Sequence, residues 1–381
     1  MNAIETQTTT RVVYGTGQVA ALGKLALELS AERVLLVSDP GIVRAGHVQL
    51  GLDSLVAAGL ETRLFDGVAE NPTTEHVAAG VAVATEFRPD MLVGLGGGSS
   101  MDCAKGINFL YSCGGEIRDY WGVGKATGPM LPMIAVPTTA GTGSETQSFA
   151  LISDAKTHQK MACGDRRAAF RVAILDPELT MTQPQPVAAL AGFDALSHAV
   201  ETCVTTKRND ESRRCSREAW QRLAPNYLSV LREPNDLAAR GQMQLGACLA
   251  GLAIEHSMLG AAHALANPLT AEYGVVHGQA VALMLPHVVR WNASQCELLY
   301  CELLEATAGE ANCPSGGSEA LADFLQNVAS EAGLAGKLSE CGIERDRLPQ
   351  LAEDAAKQWT ASFNPVPVSQ ADLLQLYERA Y

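Results

Sequence analysis

Four side chains in the second half of the sequence are of the types that hold a divalent metal ion. Asp194 and His198 lie four residues apart in the helical pattern FDALSHAVE, so both project from one helix face. Folding must bring His263, in LGAAHALANP, and His277, in VVHGQAVALMLPH, to that pair. One carboxylate and three imidazoles form a ligand set suited to Fe or Zn. The spacing of Asp194 and His198 is, by itself, also that of an ordinary helical pair.

The other histidines lead to predictions about the helices that carry them. We expect the helix of His263 to end at Pro268. One continuous helix over residues 236–264 would place His256 two turns before His263, on nearly the same face. The remaining histidines are interpreted as ordinary core or surface residues: His47, His76, His158 and His287.

A glycine-rich turn follows an apolar run in MLVGLGGGSSMDCAK, residues 91–105. The glycines at 96–98 let the backbone approach a phosphate, and the helix that follows offers free amides and a partial positive charge. Ser99 or Ser100 can cap this helix, and Asp102 suits its first turn. The motif approaches G-x-G-x-x-G, with Ser99 in the sixth position. Its strand–turn–helix context favours a dinucleotide site over a simple tight turn.

Two other positions suit the same ligand. The segment PTTAGTGSE, residues 137–145, follows a second apolar run, and its hydroxyls and glycines suit contacts with ribose, phosphate or nicotinamide. Asp39 ends the run VLLVS, where a carboxylate can bind a ribose diol and repel a 2′-phosphate, which favours NAD over NADP. A helix N-cap before Pro40 explains Asp39 equally well.

Alternating patterns in the first half are typical of a sheet that presents such loops. Short apolar runs at 11–14, 34–38, 63–65, 91–94, 133–136 and 172–175 alternate with helical patterns at 20–29, 74–87 and 101–110. They predict a mostly parallel sheet with helices on both faces, an α/β Rossmann-like domain. Beyond residue 183 the helical patterns are at 187–202, 212–231, 236–264, 276–291 and 318–332. We therefore predict an α/β domain over residues 1–182 and an all-α domain over residues 183–381.

Composition excludes several other classes of protein. A formal net charge of −14 argues against nucleic acid as the main partner. Ten cysteines without a CxxC pair predict reduced thiols in a cytoplasmic protein. We see no signal-peptide pattern, and no apolar run that approaches the roughly 20 residues of a membrane helix, so we expect no membrane partner.

Taken together, the motifs resemble those of the iron-containing (group III) alcohol dehydrogenases, which share the dehydroquinate synthase-like fold. GGGSSMDCAKG and VPTTAGTGSE resemble the two cofactor loops of that family, and ILDPELT resembles the end of its first domain. GFDALSHAVE and the region from Gly260 to Gly278 are similar to its metal-binding signatures. The resemblance covers nearly the whole chain.

The resemblance implies an NAD-binding domain and a helical domain, with the active site in the cleft between them, and a dimer or larger homo-oligomer. It implies an Fe²⁺ ion, or Zn²⁺, held by Asp194, His198, His263 and His277. Asn71, in GVAENPTT, matches a position near the cleft. With Asp102 from the first helical turn added, the predicted cofactor contacts are Asp39, Gly97, Gly98, Ser99, Asp102, Thr138, Thr139 and Lys160.

Two positions depart from the family pattern. Many members carry a second histidine four residues after the third metal ligand, but this chain has Asn267 there. A neutral amide cannot act as a general base, so water and the ribose hydroxyl, or another group such as His256, must carry the proton, or the activity is altered. Val366 follows Asn364-Pro365 where relatives often have Arg.

The expected reaction interconverts a small primary alcohol or diol and its aldehyde. The ion lowers the pKa of the substrate hydroxyl and the nicotinamide C4 accepts a hydride. Two other enzymes stay open, a dehydroquinate synthase-like lyase and a Zn-type polyol dehydrogenase. A nucleotide- or metal-binding protein whose activity was lost through Asn267 is the non-enzymatic alternative.

Overall fold

The computed structural model describes residues 2–4, 10–157, 159–310 and 313–381. His158, which we interpret as an ordinary residue, lies outside the described residues. The chain divides into two compact units. The first comprises Met1–Thr139 and Ser144–Gln183, and the second comprises Ala140–Gly143 and Pro184–Tyr381.

The strands all belong to the first unit. They are β1 (Asn2–Ile4), β2 (Arg11–Tyr14), β3 (Arg33–Val37), β4 (Glu61–Phe65), β5 (Met91–Gly96), β6 (Gly122–Val123), β7 (Met133–Pro137), β8 (Phe149–Ser153), β9 (Lys160–Gly164) and β10 (Val172–Leu175). Within the described residues, seven of them form one sheet in the order β1-β2-β10-β7-β5-β3-β4. Only the β1–β2 pair of this sheet is antiparallel. The central strands read as continuous apolar runs because both faces of a parallel sheet are covered.

Helices cover both faces of this sheet. They are α1 (Leu22–Glu28), α2 (Pro40–Arg44), α3 (His47–Ala57), α4 (Thr74–Phe87) and α5 (Gly98–Cys113). Side chains of α1 and α3 pack with Leu36 and Val93 in one apolar core, whereas α4 and α5 pack with Leu35 and Leu92 in another. The alternation of side chains along β3 and β5 therefore supplies both layers. The predicted α/β class of this half is confirmed.

A second, smaller sheet was not predicted from the sequence. Its order is β6-β9-β8, with β8 antiparallel to β9 over five residue pairs. Its strands β8 and β9 are short, and a hairpin loop that includes residues 154–157 connects them. Both contain polar or small residues and partly exposed positions, so they lack the continuous apolar run that marks the central strands of the large sheet.

In the second unit, the regular secondary structure of the described residues is entirely helical. Its α-helices are α6 (Gln185–Val204), α7 (Asp210–Arg232), α8 (Leu237–His256), α9 (Ala261–Tyr273), α10 (His277–Glu305), α11 (Ser318–Glu331), α12 (Leu348–Ala356) and α13 (Gln370–Ala380). Their apolar faces share one core that includes Phe193, Trp220 and Tyr227. The predicted all-α class of the second half is confirmed.

Two predictions about the helices around His263 are wrong. Residues 236–264 do not form one helix, because α8 ends at His256 and α9 begins at Ala261 after a bend of 105°. His256 and His263 therefore do not lie on one helical face. The helix of His263 also continues through Pro268, which is buried in the core, to Tyr273.

By length and hydropathy, α6 is apolar enough to cross a membrane, and so is the bent pair α8 and α9 if it counts as one span. The prediction that no apolar run approaches the length of a membrane helix is therefore wrong for α6. Within the qualifying window of α6, 83% of the residues are buried inside the protein. Such burial is typical of a core helix.

Candidate functional site

The helix α6 carries the first two predicted metal ligands inside the core of the second unit. It starts after Pro184 with a further proline in its first turn, where the missing backbone donor costs no hydrogen bond. Asp194 and His198 project from the same face one turn apart, and His198 Nε2 lies 3.3 Å from Asp194 Oδ1. Both side chains are buried.

The next two helices bring in the other predicted ligands. His263 lies in the first turn of α9, and His277 is the first residue of α10. The Nε2 atoms of His263 and His277 lie 3.5 Å and 3.8 Å from Asp194 Oδ1. Ligand atoms of Asp194, His263 and His277 all lie within 4.8 Å of one another. His198 is next to this group, with its ring stacked on that of His263 at a centroid distance of 5.0 Å.

Buried polar atoms without partners show that this cluster fits a cation. Among the described residues, Asp194 Oδ1 and His263 Nε2 are buried and have no hydrogen-bond partner. Such atoms are costly to bury unless something satisfies them, and an ion at their centre would do so. His277 keeps 26% of its side chain exposed. A cluster open on one side is typical of catalytic metal sites, which keep a position for substrate.

Electrostatics in the cluster also favour a cation. Burial raises the pKa of Asp194, but the charge of His198 and the approach of His263 outweigh it, and the pKa lies well below its usual value. Burial lowers the pKa of His198, against the charge of Asp194. The opposite holds for His263, because the charge of Glu201 overcomes the effect of burial and raises its pKa to about 9. The carboxylates of Asp194 and Glu201 therefore favour positive charge at the centre of the cluster.

Glu201 is a residue of this cluster that was missed at the sequence level. Its Oε2 lies 2.5 Å from His263 Nδ1, and its side chain is 4% exposed. It lies on α6 seven residues after Asp194 and three after His198. That spacing places all three on neighbouring turns of one face, and it was the available signal.

The predicted glycine turn lies between β5 and α5 in the first unit. Gly96 has φ of 150°, and a Cβ there would lie 2.5 Å from Ser100 Oγ. Only glycine fits such a turn without strain. Gly97 takes the N-cap position, and α5 begins at Gly98, so the free amides of its first turn face the turn. This arrangement can hold a phosphate, as predicted for a dinucleotide.

Three polar residues meet at the start of α5. The backbone N–H of Asn71 donates to Ser99 Oγ over 3.3 Å. Lys160 Nζ donates to Asn71 Oδ1 over 3.4 Å. Asn71 has a left-handed backbone with φ of 52°, which is uncommon outside glycine. The structure thus brings together Ser99 and Lys160, two of the predicted cofactor residues, through Asn71.

The second predicted loop follows β7, which pairs in parallel with β5. Thr138 N–H donates to the carbonyl of Gly96 over 2.9 Å. A Cβ at Gly97 would lie 3.5 Å from Thr139 Oγ1, so the two loops touch. Thr138 Oγ1 is buried and has no partner among the described residues. A buried hydroxyl at this place can hydrogen-bond to a ligand in the glycine turn.

Asp39 caps a helix, as one of its two predicted explanations requires, and its ribose contact stays a prediction. Its Oδ1 accepts from the backbone N–H groups of Gly41 and Ile42, at 2.8 Å and 3.1 Å, and so caps α2. Its Oδ2 accepts from Ser100 Oγ over 3.3 Å. The carboxylate therefore lies beside the glycine turn.

Asp102 is occupied by contacts within the chain. Its Oδ1 accepts from Ser144 Oγ over 2.7 Å and its Oδ2 from the backbone N–H of Leu151 over 3.2 Å. Burial raises its pKa, against the charge of Lys105, whose Nζ lies 3.7 Å away. These contacts join α5 to the segment after the second loop. They indicate that Asp102 helps to shape the two predicted cofactor loops, and its own contact with a cofactor stays a prediction.

Asn267, at the position of the relay histidine, and His256, its candidate substitute, both have clear places in the second unit. Asn267 lies one turn after His263 on α9, and its Nδ2 donates to Gln358 Oε1 over 3.1 Å. His256 ends α8, and its carbonyl accepts from Asn209 Nδ2 over 2.6 Å. The break between α8 and α9 removes the helical argument for His256 as a substitute base.

Comparison with known proteins assigns the family. Residues 9–177 match the family model of iron-containing alcohol dehydrogenases, and residues 188–381 match that of the C-terminal part of the Fe-containing family. The chain belongs to the iron-containing alcohol dehydrogenase family, and its fold is the dehydroquinate synthase-like fold of that family.

Similar proteins are named as alcohol or diol oxidoreductases. The chain is 32% identical to alcohol dehydrogenase 4 of Schizosaccharomyces pombe over 369 residues, covering 97% of this chain and 87% of the relative. It is 29% identical to the NAD-dependent methanol dehydrogenase of Bacillus methanolicus over 370 residues, covering 97% of each. A crystal structure of 1,3-propanediol oxidoreductase superposes with a TM-score of 0.93 at 30% identity, covering 100% of this chain and 99% of the other.

Proposed function

We propose that the protein is an NAD(H)-linked, metal-dependent oxidoreductase that interconverts a small primary alcohol or diol and its aldehyde. The observation that carries this proposal is the convergence of Asp194, His263 and His277, with two buried ligand atoms that have no partner among the described residues. Family membership supports the reaction class, and the name of the Bacillus methanolicus relative supports NAD. Residues 1–182 would bind the dinucleotide and residues 183–381 the metal.

Each set of residues has a defined part in this chemistry. A divalent iron or zinc ion, when bound, supplies Lewis-acid polarisation of the substrate oxygen, and the nicotinamide supplies the hydride acceptor. Asp194, His198, His263 and His277 would hold the ion. The amides of Gly97, Gly98 and Ser99 would hold phosphate, with Asp39, Thr138, Thr139 and Lys160 around the rest of the dinucleotide.

The proton of the alcohol must leave without help from residue 267, four positions after the third metal ligand. Asn267 is an amide whose Nδ2 is already engaged by Gln358. It cannot take a proton near neutral pH, so solvent and the ribose hydroxyl are the routes that we propose.

A screen of aldehydes with NADH tests the proposal. Metal-free protein would be reloaded with Fe²⁺ or Zn²⁺ and NADH oxidation followed for short aliphatic aldehydes, lactaldehyde and glycolaldehyde. We expect metal-dependent turnover of at least one of them. Failure of every aldehyde with both ions, while the protein stays folded, would contradict the proposal.

The cofactor preference gives a sharper prediction at Asp39. Replacing Asp39 with Asn is expected to raise the ratio of kcat/KM for NADPH to that for NADH by about tenfold or more, because a like charge near the 2′-phosphate disappears. Asn is as good an N-cap as Asp, so α2 should keep its start and the Tm should stay unchanged. Steady-state kinetics with both cofactors measure the ratio. An unchanged ratio would show that Asp39 does not face the ribose.

A second prediction concerns the missing histidine of the proton relay. Asn267→His places an imidazole one turn after His263, and a neutral imidazole can accept a proton. We expect kcat/KM of the variant to fall as the pH drops through about 6.5, the usual pKa of histidine. Wild-type protein and Asn267→Gln should lack this step in the same pH series. Superimposable profiles for all three proteins would show that position 267 has no access to the proton.

The location is proposed from the cysteine composition, and the assembly from the resemblance to the family. We propose a cytoplasmic protein that assembles as a homodimer or larger homo-oligomer. Light scattering of the purified protein would measure the assembly, and a monomeric mass at micromolar concentration would contradict it.

A further inference from the structure

We propose that Glu201 positions His263 for metal binding by holding its Nδ1 proton. The proposal rests on the proposed metal-dependent function and names a further residue on which it depends. Glu201 binds no substrate or cofactor in this account. It acts through His263, as a positioning residue.

The contact between Glu201 and His263 is short and buried. Glu201 Oε2 lies 2.5 Å from His263 Nδ1, and both side chains are 4% exposed. The other ring nitrogen, Nε2, points to Asp194 Oδ1 at 3.5 Å. One ring nitrogen thus meets a fixed acceptor, and the other points to the proposed metal position.

This arrangement selects the form of histidine that a metal needs. A neutral imidazole carries its proton on either nitrogen, and only the unprotonated nitrogen can bind a metal. An acceptor at Nδ1 keeps the proton there and leaves the Nε2 lone pair free for the ion. Glu201 is the acceptor at that position. It therefore fixes both the tautomer and the ring orientation of His263.

Glu201 also has a second, purely structural contact, which must be separated from the first. Its Oε1 accepts from the backbone N–H of Ala262 over 2.8 Å. The N-cap of α9 is Gly260, which has no side chain to satisfy the first amides. A Cβ at Gly260 would lie 3.0 Å from Glu201 Oε1, so a larger residue there would crowd the carboxyl group. The carboxyl group thus caps α9 as well as contacting His263.

Asn364 is the control residue for Glu201, because it also caps α9 but contacts no proposed metal ligand. Its Oδ1 accepts from the backbone N–H of Ala261 over 3.3 Å. Asn292 holds it through two hydrogen bonds of 3.1 Å and 2.8 Å. Asn364 and Glu201 therefore satisfy neighbouring amides of the same helix end, and only Glu201 meets the imidazole of His263.

The two substitutions Glu201→Gln and Asn364→Ala separate the roles. In Glu201→Gln the amide oxygen can still accept from Ala262, while the NH₂ group faces Nδ1 and favours the tautomer that carries its proton on Nε2. We expect Zn²⁺ affinity to fall about 10–100-fold, with the Tm of the metal-free protein within about 2 °C of wild type. Asn364→Ala should lower that Tm by about 2–4 °C and leave Zn²⁺ affinity within about threefold.

Competition with a chromophoric chelator measures Zn²⁺ affinity, and thermal unfolding of the metal-free proteins measures the Tm. If the wild-type protein binds no Zn²⁺, Fe²⁺ or Co²⁺, the proposed function itself fails. If the wild-type protein binds Zn²⁺ and Glu201→Gln binds it within about threefold, the positioning role is overturned. The proposal would also be overturned if Glu201→Gln and Asn364→Ala lowered the Tm by the same amount and also lowered Zn²⁺ affinity by the same factor. Capping of α9 alone would then explain the effect of Glu201.

Discussion

Replacing His263 with alanine is expected to remove metal binding and aldehyde turnover together. His263 Nε2 is one of two buried ligand atoms without a partner in the described part of the chain, and its ring lies between those of His198 and His277. Loss of Lewis-acid assistance is worth several kcal/mol, so kcat/KM should fall by about a thousandfold or more. Metal analysis and NADH oxidation on the same sample measure both losses.

His287→Gln is the matched control for this experiment. His287 shares α10 with His277, and burial lowers its pKa to about 4, so it is another shielded imidazole of the same unit. Its replacement should keep metal content and turnover close to wild type. A metal-free His263→Ala protein that still reduced aldehydes at the wild-type rate would show that the mechanism is wrong.

Replacing Lys105 with methionine is expected to destabilise the protein by about 3–5 kcal/mol, the usual cost of breaking a buried ion pair. The Lys105 side chain is fully buried, and its Nζ donates to the carbonyls of Ser144 and Phe149 at 2.8 Å and 2.7 Å. It also lies 3.7 Å from Asp102 Oδ1. Methionine keeps the volume but leaves two carbonyls and a buried carboxyl group without their cation.

Urea unfolding of the metal-free protein measures this loss, and NADH titration measures its effect on the cofactor loops. Lys24→Met, an exposed lysine of α1, should change the free energy of unfolding by less than about 0.5 kcal/mol. The double variant with Asp102→Asn should lose less than the sum of the single losses, because the two partners interact. A loss below about 1 kcal/mol for Lys105→Met would show that the buried contacts of Lys105 do not stabilise the fold.

The fold class could be predicted because the sequence patterns are local. Strand β10 and helix α4 have the predicted bounds, since each is an apolar run or helical pattern with clear ends. The glycine turn was predictable because residue 96 has a backbone angle that other residues rarely adopt. These features are written in short stretches of sequence.

The break between α8 and α9 could not be predicted, because the residues that accept hydrogen bonds from the start of α9 are distant in the sequence. The first amides of α9 are satisfied by Asn364, 103 residues away from Ala261, and by Glu201, 61 residues away from Ala262. The apolar pattern runs on through the break, so periodicity alone predicts one helix. Pro268 likewise reads as a stop, but it is buried within α9, and packing overrides the local preference.

The site was accessible from the sequence only in part. The pair Asp194 and His198 follows from a four-residue spacing, whereas His263 and His277 were joined to it by resemblance to a family. The structure brings Asp194, His263 and His277 together by packing α6, α9 and α10 in one core. No local pattern encodes that packing, and the same reason explains why Glu201 was missed.

Crystals soaked with Zn²⁺ or Fe²⁺ give the most direct measurement, through an anomalous difference map at the metal's absorption edge. We expect one strong peak about 2.0–2.2 Å from Asp194, His198, His263 and His277. A map in which those four side chains surround no peak, although the ion binds elsewhere on the protein, would contradict the assignment of this cluster as the metal centre.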